Sequence, residues 1–125
     1  MITNLFIVAM GGAIGTALRF LINAATVQLK IFNIAAGTLL VNLSGSYFIG
    51  VLFAFLLKNP NFTSLKFFFA TGLLGGFTTF SAFSLENMQL IKDGDMKNAL
   101  LNILTQNILG ILLAYFGYLT GKGLQ

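Results

Sequence analysis

The sequence predicts an all-α membrane protein with four transmembrane helices per subunit, and three observations carry the prediction. Of 125 residues, 57% are hydrophobic and 8% charged, where a soluble domain would carry about 25% charge. Mean hydropathy is +0.90. The apolar residues gather in four long runs, at about 5–25, 36–57, 65–91 and 99–119, each near the roughly 20 residues that cross a hydrocarbon core. The alternating short strands of a membrane β-barrel are not visible. Residues 1–125 therefore read as a single four-span membrane domain. Cys and His are both missing from the composition, which removes thiol chemistry, zinc sites and imidazole acid–base catalysis. Seven Lys and Arg against three acids are too sparse a charge to suggest nucleic acid as a partner.

Segment 1 lacks a basic leader and is longer than a signal-peptide core, so it reads as a true span. Gly11 and Gly15 form a G-x-x-x-G, with Gly12 and Thr16 one position on, a small-residue face for close helix packing. Arg19 is the one charge in the segment. An Arg at mid-membrane costs about 2.5–3.5 kcal/mol on insertion scales. It reads either as an anchor snorkelling to the interface or as an anion-attracting charge at a watery vestibule. A short connection at 27–34 carries Lys30.

Segment 2 places Thr38, Asn42, Gly45 and Ser46 along one face, with Ser44 beside them. A single Asn can serve as interhelical glue; a stripe of this kind reads better as a lining. The loop Lys58–Lys66 holds the only proline, Pro60, between Asn59 and Asn61.

Segment 3 is expected to be broken near its middle. The run Gly72–Ser84 reads GLLGGFTTFSAFS. Each glycine costs a helix interior about 1 kcal/mol relative to Ala, and the pair Gly75–Gly76 lets the backbone leave helical geometry. At membrane depth that is tolerated only where the freed groups are buried, line a wet cavity or hold an ion. Phe80 and Phe83 share one face of a restarted helix, and Ser81 and Ser84 a neighbouring one. Glu86, the only acid of the segment, reads as exposed at a vestibule or paired. Lys92–Lys97 (KDGDMK) is a polar turn with Gly94 at its tip. Segment 4 contains Asn102, Thr105, Gln106 and Asn107, and Asn107, Gly110 and Ala114 share a face.

Lys58, Lys66 and Lys122 fall on one side of the membrane, and Arg19, Lys30, Lys92 and Lys97 on the other. With such a balance the positive-inside rule hardly separates the two orientations. A chain inserting in both orientations would show it, and an antiparallel dual-topology homodimer would make an inverted repeat from two copies.

Three stretches, GGAIGTALRF (Gly11–Phe20), GTLLVNLSGSYFIG (Gly37–Gly50) and GLLGGFTTFSAFS (Gly72–Ser84), resemble the bacterial fluoride channel family, often called Fluc. The likeness covers all four segments in order and spacing. It implies an antiparallel homodimer in the lipid of the bacterial cytoplasmic (inner) membrane, with two fluoride pathways and a sodium ion at the interface. By position, the backbone carbonyls of Gly75 and Thr78 would hold that sodium, in keeping with a hard cation's need for oxygen ligands. Asn42, Phe80 and Phe83 match the family's pore residues, Thr38 a hydroxyl of its polar track, and Arg19 its vestibule arginine. Ring edges, positive by the quadrupole, suit an anion. Ser81 and Asn107 join the expected pathway, and Glu86 the vestibule. The family often has small hydroxyl residues on segment 4; here the corresponding face offers Asn107 between Ile103 and Ile111. The polar track is either shorter or carried by Asn107 alone.

The function so implied is passive, selective export of fluoride. A small dual-topology multidrug or cation exporter is the main rival, but it needs a membrane acid in its first span, and segment 1 has none. A non-transporting assembly subunit would not explain the glycine–threonine stretch with its paired phenylalanines. An enzyme is disfavoured, because no nucleophile–base pair is present.

Overall fold

The computed structural model describes residues 1–31 and 33–124. Among the described residues, four stretches are long and apolar enough to cross a membrane: Ile2–Ala25, Ala36–Lys58, Thr63–Lys92 and Met96–Gly123. The first is helix α1 (Ile2–Ala25) and the second α2 (Ala36–Lys58). Between them the chain makes a minimal antiparallel pair, β1 (Lys30–Ile31) and β2 (Ile34–Ala35), with Lys30 opposite Ala35 and Ile31 opposite Ile34. The expected short connection thus includes a paired segment in an otherwise helical chain. Asn33 sits at φ 61°, a left-handed conformation that Asn tolerates because its short polar side chain can bond locally.

The third stretch is composite. It begins as a short turn, α3 (Thr63–Leu65), widens to a π-helix over Lys66–Leu74, and tightens again as α4 (Gly75–Phe77). Helical geometry stops there. Thr78 (ψ 158°) and Thr79 (φ −149°, ψ 114°) are extended, and α5 (Phe80–Lys92) follows. The fourth stretch is one helix, α6 (Met96–Gly123).

The glycine pair is not itself where the chain leaves the helix, contrary to the sequence expectation. Gly75 and Gly76 keep helical backbone. Gly76 serves close packing instead: a Cβ there would stand 2.6 Å from the Gly12 carbonyl oxygen. The two threonines that follow carry the extension, and their hydroxyls make it stable. Thr78 Oγ1 donates to the Leu74 carbonyl (2.9 Å). Thr79 Oγ1 accepts from the Ala82 N–H (3.2 Å) and so caps the first turn of α5.

Packing is pairwise. α1 lies against the π-helix and α4, while α2 lies chiefly against α6. Both contacts depend on absent side chains. A Cβ on Gly15 would fall 2.0 Å from the Leu73 carbonyl oxygen, and one on Gly117 2.1 Å from that of Tyr47. Such contacts let backbones touch where lipid offers no hydrophobic drive for helix association. The buried apolar set is small (Leu39, Val41, Ala54, Leu74 and Phe77 among it), and large apolar side chains mostly point outward. Buried polar groups are Thr38, Thr79, Asn87 and Asn102. Thr79 belongs to the extended pair, and the other three lie on α2, α5 and α6.

Candidate functional site

The extended pair falls at the middle of the Thr63–Lys92 stretch, at a depth where every backbone group needs a partner. A continuous helix would give the Thr79 N–H to the Gly75 carbonyl. Here that N–H donates to Asn42 Oδ1 (2.8 Å). Asn42 Nδ2 in turn donates to the Thr79 carbonyl (3.1 Å) and to Gln106 Oε1 (2.7 Å). One side chain of α2 therefore satisfies both backbone groups of an extended residue. An N–H can only donate, so Asn42 must present its oxygen there, and both of its own hydrogens are engaged.

From Gln106 the bonds continue inward. Gln106 Nε2 donates to Asn102 Oδ1 (2.8 Å), Asn102 Nδ2 to Asn87 Oδ1 (3.3 Å), and Asn87 Nδ2 to the Phe83 carbonyl (2.7 Å). The series begins at the Thr79 backbone and ends at the Phe83 backbone. Phe80 lies between these anchors and is 78% exposed. Its ring centroid is 5.5 Å from that of Phe83, with the planes tilted by 40°.

Two grooves meet here. A small one of about 120 Å³ is lined by Asn42, Phe80, Phe83, Gln106 and Asn107. A larger one of about 350 Å³ shares Asn42 and Phe80 and runs past Ser46, Gly75, Thr78 and Thr79. A third, apolar cavity of about 500 Å³ between α1, α2 and the π-helix, lined by Leu18, Phe48 and Phe77 among others, lies away from these polar groups.

A profile described as "CrcB-like protein, Camphor Resistance (CrcB)" matches residues 6–118 of the chain. The chain belongs to the CrcB-like family. Curated relatives carry the name fluoride-specific ion channel FluC. That of Aquifex aeolicus is 43% identical over 123 residues, covering 95% of this chain and 97% of the relative. That of Parabacteroides distasonis is 40% identical over 122 residues (97% and 94%). That of Campylobacter fetus is 45% identical over 120 residues (93% and 91%). With its four membrane-crossing stretches, this CrcB-like chain is a multi-pass protein of the bacterial inner membrane.

Of the residues singled out by sequence, Asn42, Phe80, Phe83 and Asn107 come together at the small groove. Ser81 is exposed beside it, with its Oγ 3.3 Å from Thr79 Oγ1. Asn107 is exposed, and its Nδ2 donates to the Ile103 carbonyl one turn back (2.7 Å). Thr38 does not reach the groove. It is buried, and its hydroxyl donates to Glu86 Oε1. Glu86 Oε2 is buried with no hydrogen-bond partner among the described residues.

Arg19 reaches the third stretch: Nη1 lies 3.4 Å from the Thr78 carbonyl, a long contact that places the guanidinium at the extended pair. Gly75 is exposed, and a Cβ there would meet only the Ala70 oxygen at 3.8 Å. Gly75 and Thr78 both line the larger groove. Neutral backbone oxygens are the type of ligand a hard cation takes.

Sequence alone did not mark Gln106, Asn102 and Asn87 as site residues. Their signal was present: Asn102 and Gln106 are four apart on one helix face, and Asn87 is four beyond Phe83. The Asn107–Gly110–Ala114 face, which sequence did mark, lies beside theirs.

Proposed function

We propose that this chain is a fluoride-selective channel that lets fluoride leave the cytoplasm passively, and that it works as an antiparallel dual-topology homodimer and not as an enzyme. The observation that carries the reading is the convergence of Asn42, Phe80, Phe83 and Asn107 on one groove beside an extended backbone pair. The fluoride channel name of its family relatives supports the same reading.

Fluoride crosses membranes as a neutral weak acid and is trapped as the anion where the pH is higher. A selective pore returns it down its electrochemical gradient. The anion is small and strongly hydrated, so a pore must replace water with donors and ring edges and exclude larger halides by narrowness. Phe80 and Phe83 supply the edges. Asn42 supplies N–H donors once it exchanges Gln106 or the Thr79 carbonyl for the ion. Ser81 and Asn107 extend the polar lining, and Arg19 draws anions toward the extended pair. We take the interruption at Thr78–Thr79 to be a working break in the third span.

The open face supports the dimer. Polar grooves and the Gly75 and Thr78 carbonyls lie on the protomer surface at membrane depth, where lipid cannot satisfy them. A second copy would cover them and double the carbonyl set. Sodium held by those carbonyls would supply positive charge that fixes the interface. Neither the exporter nor the assembly-subunit reading is favoured by any feature of the grooves.

The test is fluoride release from liposomes reconstituted with the purified protein, set against chloride release. Fast fluoride release with little chloride release is expected. Phe80→Ile or Phe83→Ile should reduce it to the protein-free level in protein that still elutes as a dimer. Equal release of both halides by the unaltered protein would sink the reading.

A further inference from the structure

We propose that Asn87 and Asn102, which line neither groove, are positioning residues that lock the donor pattern of the fluoride groove and the placement of Phe83. The proposal rests on the groove being the fluoride pathway. Asn102 is 0% and Asn87 6% exposed. Two amides in a membrane-embedded core are costly wherever apolar side chains of similar shape would pack as well. What an apolar side chain cannot do is impose a direction.

The four amides Asn42, Gln106, Asn102 and Asn87 form a series whose ends are backbone groups of fixed polarity, the Thr79 N–H and the Phe83 carbonyl. From the Thr79 end, Asn42 must accept and then donate to Gln106. From the Phe83 end, Asn87 must donate and so accept from Asn102, which accepts from Gln106. The two directions agree at Gln106: Oε1 toward Asn42, Nε2 toward Asn102. Reversing any one amide sets donor against donor.

Asn102 is the group that holds Gln106 in this sense. Asn42 stays oriented by the Thr79 backbone, but without Asn102 the Gln106 amide is held at one end only; when it swings off Asn42, one Asn42 N–H faces the groove unpaired, and the groove acquires two donor patterns in place of one. Asn87 carries the same constraint to the carbonyl of Phe83, so ring placement and amide orientation are set together.

The experiment uses the full-length protein in liposomes, comparing wild type with Asn87→Leu, Asn102→Leu and the double variant. In the same proteins, 4-fluorophenylalanine at position 83 is read by 19F NMR. Removing both amides at once leaves neither orphaned by the other, and the one side-chain donor released, Gln106 Nε2, belongs to a groove-lining residue, so the double variant should fold and elute as wild type does. It should lose fluoride release by roughly tenfold, the scale of one hydrogen bond, with a similar fall in the fluoride-to-chloride ratio and a moved or split 19F resonance. Thr120→Val removes a comparable side-chain contact, to the Phe116 carbonyl, and should change none of these.

A double variant with wild-type release, ratio and resonance would overturn the proposal. Should the double variant not fold, Asn87→Gln, which keeps the amide and displaces it from the Phe83 carbonyl, is judged by the same three readouts. A wild-type protein that releases no fluoride would overturn the functional reading instead. Positioning is then decided by the label alone, and an unmoved resonance overturns it.

Discussion

From Lys66 to Phe77 the third span lies against α1 with backbone nearly touching backbone, whereas from Thr79 to Lys92 it is held by side-chain amides of α2 and α6. In the first region Gly11, Gly15, Gly72 and Gly76 each stand where an added Cβ would come within 3 Å of a neighbouring backbone oxygen. In the second, Asn42 and the Asn102–Asn87 pair reach the chain through hydrogen bonds. The first kind of contact is steep in distance and indifferent to chemistry. The second is tolerant of shape and fails when a partner is lost. The groove lies against the second region, where bonds can be exchanged without moving a helix.

The contrast can be broken most severely at Gly15. Gly15→Ala sets a methyl 2.0 Å from the Leu73 carbonyl oxygen, and backbone cannot rotate away. A loss of about 3 kcal/mol is expected, the upper range for overpacking, seen as a lower unfolding midpoint in detergent. Gly123→Ala meets nothing within 4 Å and should leave that midpoint unchanged.

Asn42→Leu tests the other region. It leaves the Thr79 N–H without its partner at membrane depth, for a cost of about 2 kcal/mol. Hydrogen exchange should rise at Thr79 and the first turn of α5 while α1 and the π-helix stay protected. Uniformly raised exchange would show that the two regions are not held separately.

Gly45→Ala sits between the two. Its Cβ would stand 2.3 Å from Thr78 Cγ2, a side-chain end that can turn at the expense of its bond to Leu74. A loss of about 1 kcal/mol, with Thr78 displaced and α1 packing intact, is expected from a structure of the variant.

The smallest effect concerns the connections outside the spans. Asp95 caps α6 through Asn98 and also accepts from Asn33 of the first connection. The bond from the Asn98 side chain, then that from Asn33, hold its carboxyl below the usual value of 3.8. Because its pKa is depressed in the folded state, this contribution is complete above 3.8 and is lost as pH falls through the lower folded value. Exchange protection at Asn33–Ala35 and Asn98 should therefore drop in strong acid. Asp95→Asn should remove the pH dependence, and an unchanged acid profile in that variant would sever Asp95 from it.

Much of this was legible in the chain. Apolar runs of spanning length specify four membrane-crossing stretches because hydrocarbon forbids anything but internally bonded backbone. Composition excluded thiol and imidazole chemistry. The stretch Gly72–Ser84 marked residues that border the two grooves, and GGAIGTALRF marked a close-packing face. The polar types that surround the site were also visible, since an Asn or Gln within a span is costly enough to require a partner.

Which partner each took was decided only by tertiary structure. Gly76 looked like a helix breaker and proved to be a packing residue, because its role depends on Gly12, far earlier in the chain. Thr38 looked like part of the lining and is bonded to Glu86. Asn102, Gln106 and Asn107 lie within two turns of one helix, yet Asn102 is buried, Gln106 reaches from it to the groove, and Asn107 is exposed at the groove. Periodicity along one chain fixes which residues share a face. It cannot fix what that face meets, because hydrogen bonds between helices depend on crossings set by glycines far away in sequence.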